Sequence, residues 1–376
     1  MTRIDPSRMA EATRLTRAGR LGEATALIQQ MLSGKEAPSA PSDGWAGPTL
    51  DLRAEPEPEA RPRSKRAPGP PPGSERVPEP SPAPADTGRR LPGAWTTHTY
   101  ANPFGRRSYK LYLPERRAGV ALPLVVMLHG CTQKPDDFAR GTRLNGLGEQ
   151  LGFIVAYPGQ TRTANPTRCW NWFRPTDQER ERGELSLIAG ITRAVIAEHG
   201  VDPARVYVAG LSAGGAAAAL MARAYPDLCA AVGVHSGVAP GAASDVASAL
   251  AAMRAPEGRQ DIGEGGPVVP TIVFHGTADK TVNPANADAV VRHALGSARG
   301  LERVTERGRC DGGYSYRVTR HRDGDARTLV EDWRIDGLGH AWSGGDRKGS
   351  FTDPQGPDAS RIMLDFFLRQ RLGRAG

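Results

Sequence analysis

The sequence has no apolar run near the twenty or so residues that a membrane-spanning helix requires, so no transmembrane segment is expected. Its first residues, Met1-Thr-Arg-Ile-Asp-Pro-Ser-Arg8, lack the apolar stretch and small-residue cleavage site of a secretory leader, which by itself points to the cytoplasm. Cysteine is scarce. Cys131, Cys169, Cys229 and Cys310 show no C-x-x-C spacing, so a zinc site is not expected, while one or two disulfides stay open. The formal charge is +8, yet no basic block interleaved with aromatics is present. The arginines are scattered through the whole chain, which excludes a concentrated nucleic-acid footprint and reads as a compositional habit.

Large apolar residues are also nearly missing from 34–92, where Pro, Glu, Ala, Ser, Gly and Arg dominate in runs such as P-G-P-P-P-G and V-P-E-P-S-P-A-P-A. Such a segment buries too little surface to offset the entropy of ordering it, and it reads as a disordered, Pro-stiffened linker. Before it, residues 1–33 place Met9, Ala12, Leu15 and then Leu21, Ala24, Leu27, Ile28, Met31 and Leu32 at helical spacing around Gly19. That is a helical hairpin too short to fold alone. Its stripe is a candidate surface for a protein partner, a polymer granule or the rest of the chain itself; a docked appendage without a separate role fits equally.

The remaining residues, 93–376, carry the fold. Thr96–Ala101 and Arg107–Leu113 alternate as antiparallel edge strands. Leu122–His129, Phe153–Tyr157, Arg205–Ala209, Ala230–Val234 and Thr271–His275 are apolar on both alternations, the pattern of strands covered on both faces. Helices are expected over Asp136–Leu151, Glu184–His199, Ala213–Ala224, Pro284–Leu295 and Asp358–Arg371, with a Gly/Ala-rich loop reaching Pro267 and late strands near Leu301–Glu306, Tyr314–Thr319 and Leu329–Ile335. The alternation predicts an α/β domain around a doubly wound, mostly parallel sheet.

Its chemistry centres on Gly210-Leu211-Ser212-Ala213-Gly214, a G-x-S-x-G pentapeptide between an apolar strand and an Ala-rich helix. In that context the pattern is a nucleophile elbow with Ser212 as nucleophile; the alternative is a Gly/Ser turn capping an ordinary helix. A serine needs a base, and the base needs a carboxylate. His340, in the glycine-flanked loop after the last strand, is the best placed base, since His293 falls inside a helix and His321 in a polar turn. Asp279 follows the strand Thr271–His275 and is the candidate acid, ahead of Asp332 within a strand and Asp336 in a turn. The oxyanion donors expected are the backbone N–H of Ala213 and that of Cys131, whose thiol is open to pairing with Cys169. Trp170, Trp172 and Trp342 lie on loops expected at the rim, as a platform for an apolar or ring-bearing ester or as a cluster pinning a long loop. This chemistry requires no metal and no cofactor.

Together L-P-L-V-V-M-L-H-G-C-T-Q, R-C-W-N-W-F-R-P, V-Y-V-A-G-L-S-A-G-G, V-F-H-G-T-A-D-K-T-V and G-H-A-W-S-G-G with T-D-P-Q-G-P-D-A-S resemble the polyhydroxybutyrate depolymerase family of esterases, over about 93–371. The resemblance implies an α/β-hydrolase fold and Ser212, Asp279 and His340 as catalytic triad, with Cys131 at the oxyanion position. It further implies an extracellular setting and short-chain hydroxyalkanoate esters, polymeric or oligomeric, as substrate. Feruloyl and acetylxylan esterases share these cores and supply the alternative, as does a granule- or partner-binding protein tethered by residues 1–33.

Overall fold

The structure is a computed structural model that describes residues 90–256, 267–296, 298–311 and 313–373. The hairpin expected over 1–33 and nearly all of the linker expected over 34–92 lie outside the described residues. Of that linker 90–92 are described, and Arg90–Leu91 pair antiparallel with Arg116–Arg117.

Ten strands form one sheet: β1 (Ala94–Asn102), β2 (Gly105–Leu113), β3 (Leu122–Leu128), β4 (Ile154–Pro158), β5 (Val201–Leu211), β6 (Ala231–His235), β7 (Thr271–Gly276), β8 (Glu302–Arg309), β9 (Ser315–Arg322) and β10 (Thr328–Ile335). The spatial order is β8-β9-β10-β7-β6-β5-β3-β4-β2-β1. The six strands from β10 to β4 run parallel, and antiparallel pairs extend the sheet at each edge. The burial explains the strand chemistry. Leu124, Val126 and Leu128 of β3 enter one core with Ile188, Val208 and Leu220, while Val125 and Met127 enter the opposite core with Phe153, Tyr207 and Phe366. A strand with two apolar faces must read as a continuous apolar run, and β3 does.

Seven α-helices are described: α1 (Pro135–Thr142), α2 (Leu144–Leu151), α3 (Gly183–His199), α4 (Ala213–Ala224), α5 (Val246–Arg254), α6 (Ala285–Leu295) and α7 (Ala359–Phe367). Three differences from the sequence reading stand out. The single helix expected over 136–151 is broken at Arg143, whose backbone is left-handed at φ 58° and whose guanidinium reaches the Gly344 carbonyl at 2.8 Å and Asp358 at 2.9 Å. Helix α5 stands where a loop is expected, opened by a capping box in which Asp245 and Ser248 satisfy each other's backbone N–H groups. The last helix ends at Phe367 rather than Arg371, and Asp358 caps its first turn.

Between β4 and α3 the chain makes a long excursion that is held from inside by one carboxylate. Glu184 is buried, paired with the equally buried Arg107 at 3.0 Å. It also accepts from the Asn171 backbone at 2.7 Å, from the Asn171 side chain at 2.8 Å and from the Gln160 amide. Its own N–H donates to Asp177 at 2.8 Å. Removing one partner of a buried ion pair strands the other charge without water, which costs about 3–5 kcal/mol. Glu184→Ala is therefore expected to lose stability of that order in urea titrations, with Glu184→Gln losing less because its amide oxygen still accepts from Asn171. Equal stability of wild type and Glu184→Ala would contradict the reading of this carboxylate as the anchor of the loop.

Candidate active site

Ser212 stands between the last residue of β5 and the first of α4, with φ 57° and ψ −119°. An L-residue takes that conformation only under constraint, and the constraint is the closeness of the turn. A Cβ on Gly210 would lie 2.3 Å from the Gly214 carbonyl carbon, and one on Gly214 would lie 2.0 Å from the Leu128 carbonyl oxygen. Neither position accepts a side chain. The helix that starts at Ala213 directs its free N–H groups at this point, as helix N-termini do.

Asp279 follows β7 and is fully buried. Its Oδ1 accepts from the N–H groups of Thr281 and Val282, both at 2.9 Å, and its Oδ2 accepts from His340 Nδ1 at 2.7 Å. His275 Nε2 lies 3.4 Å from the same oxygen and donates to the Val282 carbonyl at 3.0 Å. Burial alone would raise the Asp279 carboxyl, but the hydrogen bonds from His275, His340 and Val282, with the His340 charge, outweigh it and hold the group well below the usual carboxylate range. The carboxylate is charged, so His340 carries its proton on Nδ1 and leaves Nε2 as the basic nitrogen. The rival acids are otherwise engaged: Asp332 binds Arg334 at 2.6 Å, and Asp336 sits at the start of the following turn.

No hydrogen bond joins Ser212 Oγ to His340 Nε2 among the described residues; what brings the two segments together is a buried histidine between them. His235, at the end of β6, accepts the Ser212 N–H on its carbonyl at 2.8 Å and the Ser343 N–H on its Nε2 at 3.0 Å. The elbow and the loop behind His340 thus hang on one residue.

The segment expected to supply an oxyanion donor is organised in the same way. Gly130 N–H donates to Gln133 Oε1 at 2.8 Å, Thr132 N–H to the Thr167 carbonyl at 2.6 Å and Gln133 N–H to the Gly130 carbonyl at 3.3 Å. Among the described residues the Cys131 N–H has no acceptor, unlike those of Gly130, Thr132 and Gln133, and it lies beside Gly130, where an added Cβ would face the Ser212 side chain. Cys131 and Cys169 form a disulfide with a Cα–Cα distance of 4.2 Å, tying this segment to the long loop. His129 supports it from beneath: Nδ1 donates to the Gly130 carbonyl at 2.8 Å, Nε2 accepts from Gln160 N–H at 3.1 Å, and its carbonyl accepts from Trp170 Nε1 at 3.1 Å.

The tryptophans are placed otherwise than as a rim platform. Trp170 and Trp342 are wholly buried and Trp172 nearly so. Trp342 stacks on His235 and donates to Ser360 Oγ at 3.0 Å; Trp172 meets Phe173 edge to face. They wall the site from within. Sequence reasoning noted His235 and His275 only as histidines closing strands, without a role, and did not single out Gln133, for which no local pattern exists. Among the described residues no group of three or more His, Cys, Asp or Glu side chains is arranged to hold a metal ion, and no helix is long and apolar enough to cross a membrane.

Burial lowers His129 to about 4 and His235 to about 3, so both act as neutral rings. Either imidazolium would turn its accepting Nε2 into a donor facing another N–H. Because the folded values lie below the unfolded 6.5, the unfolded chain binds more protons in that window, and stability falls as pH drops from about 6.5 toward 4 and 3. Each ring adds about 1.4 kcal/mol per pH unit to the slope. Urea titrations between pH 7 and pH 4.5 are expected to show this loss, and His235→Gln to flatten it by about one ring's share. An unchanged slope in that variant would refute the assignment.

A family model for esterase PHB depolymerase matches residues 107–310, a little over half of the sequence, reaching from β2 past Asp279. Poly(3-hydroxyalkanoate) depolymerase C of Paucimonas lemoignei is 34% identical over 229 residues, 58% of this chain and 54% of that protein. Feruloyl esterase B of Neurospora crassa is 36% identical over 154 residues, 41% of this chain and 51% of that protein. The chain spans about half the length of these curated relatives. Among solved structures, an acetyl xylan esterase from Aspergillus awamori superposes with a TM-score of 0.56 at 20% identity, covering 72% of this chain and 98% of that one, which shows the fold. Strand order, elbow position and this likeness make the fold that of the α/β-hydrolases, and the match over 107–310 shows that the chain belongs to the esterase PHB depolymerase family.

Proposed function

We propose that this protein is a serine carboxylester hydrolase working through an acyl-enzyme, with Ser212 as nucleophile, His340 as base and Asp279 as the acid that orients it. The observation that carries the reading is the 2.7 Å contact between His340 Nδ1 and the buried, charged Asp279 carboxylate, which fixes the imidazole with Nε2 free to accept a proton. Ser212 Oγ attacks the ester carbonyl while its proton passes to Nε2. The N–H groups of Ala213 and Cys131 hold the oxyanion, each worth roughly 3–4 kcal/mol. The C–O bond to the alcohol breaks, His340 returns the proton to the departing oxygen, and a water activated by the same nitrogen then releases the acid.

The substrate reading favoured is a short-chain hydroxyalkanoate ester, polymeric or oligomeric, supported by the family and by the relative from Paucimonas lemoignei named for that polymer. The feruloyl esterase relative and the acetyl xylan esterase fold neighbour support a second reading, a carbohydrate esterase. Product analysis on hydroxybutyrate oligomers against feruloyl and acetyl sugars separates the two. A tethering role for residues 1–33 is a further part of the proposal; binding of the Ser212→Ala protein to polymer granules tests it without turnover, and no binding would remove it.

An organophosphate is expected to label Ser212 alone, read by mass spectrometry of the digested protein. Ser212→Ala and His340→Ala should each lower kcat on a soluble short-chain ester by on the order of 10⁴–10⁶, and Asp279→Asn by about 10⁴. An intact, folded protein that cleaves no activated short-chain ester would end this reading. Because the Cys131 donor is a backbone group, the double variant Cys131→Ala with Cys169→Ala should keep kcat within roughly tenfold; a loss approaching that of a missing oxyanion donor, on the order of 10²–10³, would show that the disulfide itself sets the donor's position.

A further inference from the structure

Phe351 combines three features rarely found together. Its ring is 45% exposed, its backbone is left-handed at φ 52°, and its ring centroid lies 6.4 Å from that of His340, nearly perpendicular to it. An exposed phenylalanine loses the benefit of burial, and a left-handed L-residue costs about 1–2 kcal/mol, so local stability alone does not account for this residue at this place.

The surrounding chain nevertheless holds it rigidly. Trp342 N–H donates to the Phe351 carbonyl at 2.7 Å, and Thr352 and Asp353 pair with Trp342 and Ser343 in a short parallel ladder. On the other side Ser350 N–H donates to Asp137 at 3.0 Å, while Gln133 Nε2 donates to the Ser350 carbonyl at 2.9 Å. Gln133 is the residue whose Oε1 receives the Gly130 N–H, so the strap bearing Phe351 is fastened to the oxyanion segment at one end and to the His340 loop at the other.

The geometry points to Phe351 as the wall of the leaving-alcohol subsite, a specificity-determining residue that selects esters of bulky apolar alcohols. The inference rests on the serine-hydrolase reading above. In that chemistry the acyl oxygen points at the Ala213 and Cys131 donors, while the departing alcohol takes its proton from His340 and so leaves on the imidazole side. The aromatic ring beside His340 therefore meets the alcohol and not the acyl chain. Fixing it in advance, on a strap with no rotational freedom left in its backbone, spares the ordering cost that a mobile side chain would bring to each encounter.

The test uses the full chain as wild type, Phe351→Gly and Phe351→Leu, on two ester series. One holds the acyl group as acetate and varies the alcohol over methyl, butyl and cyclohexylmethyl; the other holds p-nitrophenol and varies the acyl group over acetyl, butyryl and hexanoyl. The acetate series shares one acyl-enzyme, so differences within it arise before that intermediate forms and appear in kcat/KM. In Phe351→Gly the kcat/KM ratio of cyclohexylmethyl to methyl acetate should fall about tenfold, the acyl ratios should stay within about twofold, and Phe351→Leu should recover part of the loss. Glycine also relieves the left-handed strain, so the melting temperature should hold or rise. An unchanged alcohol ratio, an acyl ratio that moves as far, or a clearly lowered melting temperature in Phe351→Gly would each overturn the assignment while leaving the triad intact. A folded wild type that cleaves neither series would overturn both readings.

Discussion

The site depends on a neutral imidazole at the end of β6. His235 receives the Ser212 N–H on its main chain and the Ser343 N–H on its ring, so the two loops that carry the proposed nucleophile and the proposed base are referenced to one buried point rather than to each other. Its stacking on Trp342 and on Phe274 keeps water away and holds the ring plane. Burial keeps the proton off Nε2, and an uncharged Nε2 is what allows the Ser343 bond to exist. His129 repeats the device under the oxyanion segment. Two histidines that would pass for bystanders in a sequence thereby set the spacing of the groups on either side of Ser212.

Backbone strain follows the same map. Of the eight non-glycine residues with positive φ among the described residues, Thr132, Arg168, Ser212, Ser236 and Phe351 lie on the loops around the elbow. Each costs on the order of 1–3 kcal/mol and persists only where its surroundings over-determine it. The over-determination is visible. Thr132 is pinned between the Cys131–Cys169 disulfide and the Thr167 carbonyl, Ser212 between two glycine contacts, and Phe351 between the Asp137–Ser350 bond and the Trp342 ladder. The long loop is fixed from inside by Glu184, which lets a mostly irregular segment act as a rigid part of the site.

What the sequence could show was local. The elbow pentapeptide, the two-faced apolar strands and the placement of Asp279 and His340 after strands are short-range patterns, and the structure sets Asp279 and His340 in direct contact. The break at Arg143 could not be seen, because Asp136 to Leu151 continues one helical period and the break is fixed by Gly344 and Asp358, two hundred residues away. Helix α5 had a readable signal in Asp245-Val-Ala-Ser248, hidden by the surrounding glycines and alanines. The tryptophans stay open to both readings for a different reason: a loop aromatic has the same sequence signature whether it turns toward solvent or toward the core, and Trp170 and Trp342 are decided by hydrogen bonds to the His129 carbonyl and to Ser360.

That burial bears on recognition. With Trp170 and Trp342 buried and Trp172 nearly so, the apolar surface beside the imidazole is supplied by Phe351, on a strap that no motif announces. A core that satisfies its own aromatics leaves no vacancy for Phe351, so its ring stays at the surface. On the proposed reading, specificity is set by one held ring on the leaving-group side, whereas the acyl side is shaped by backbone: the Gly130–Gln133 turn, its disulfide and the first turn of α4. Substitutions confined to the 346–352 strap would, on that reading, change the alcohol recognised without disturbing the segments proposed to hold the charge.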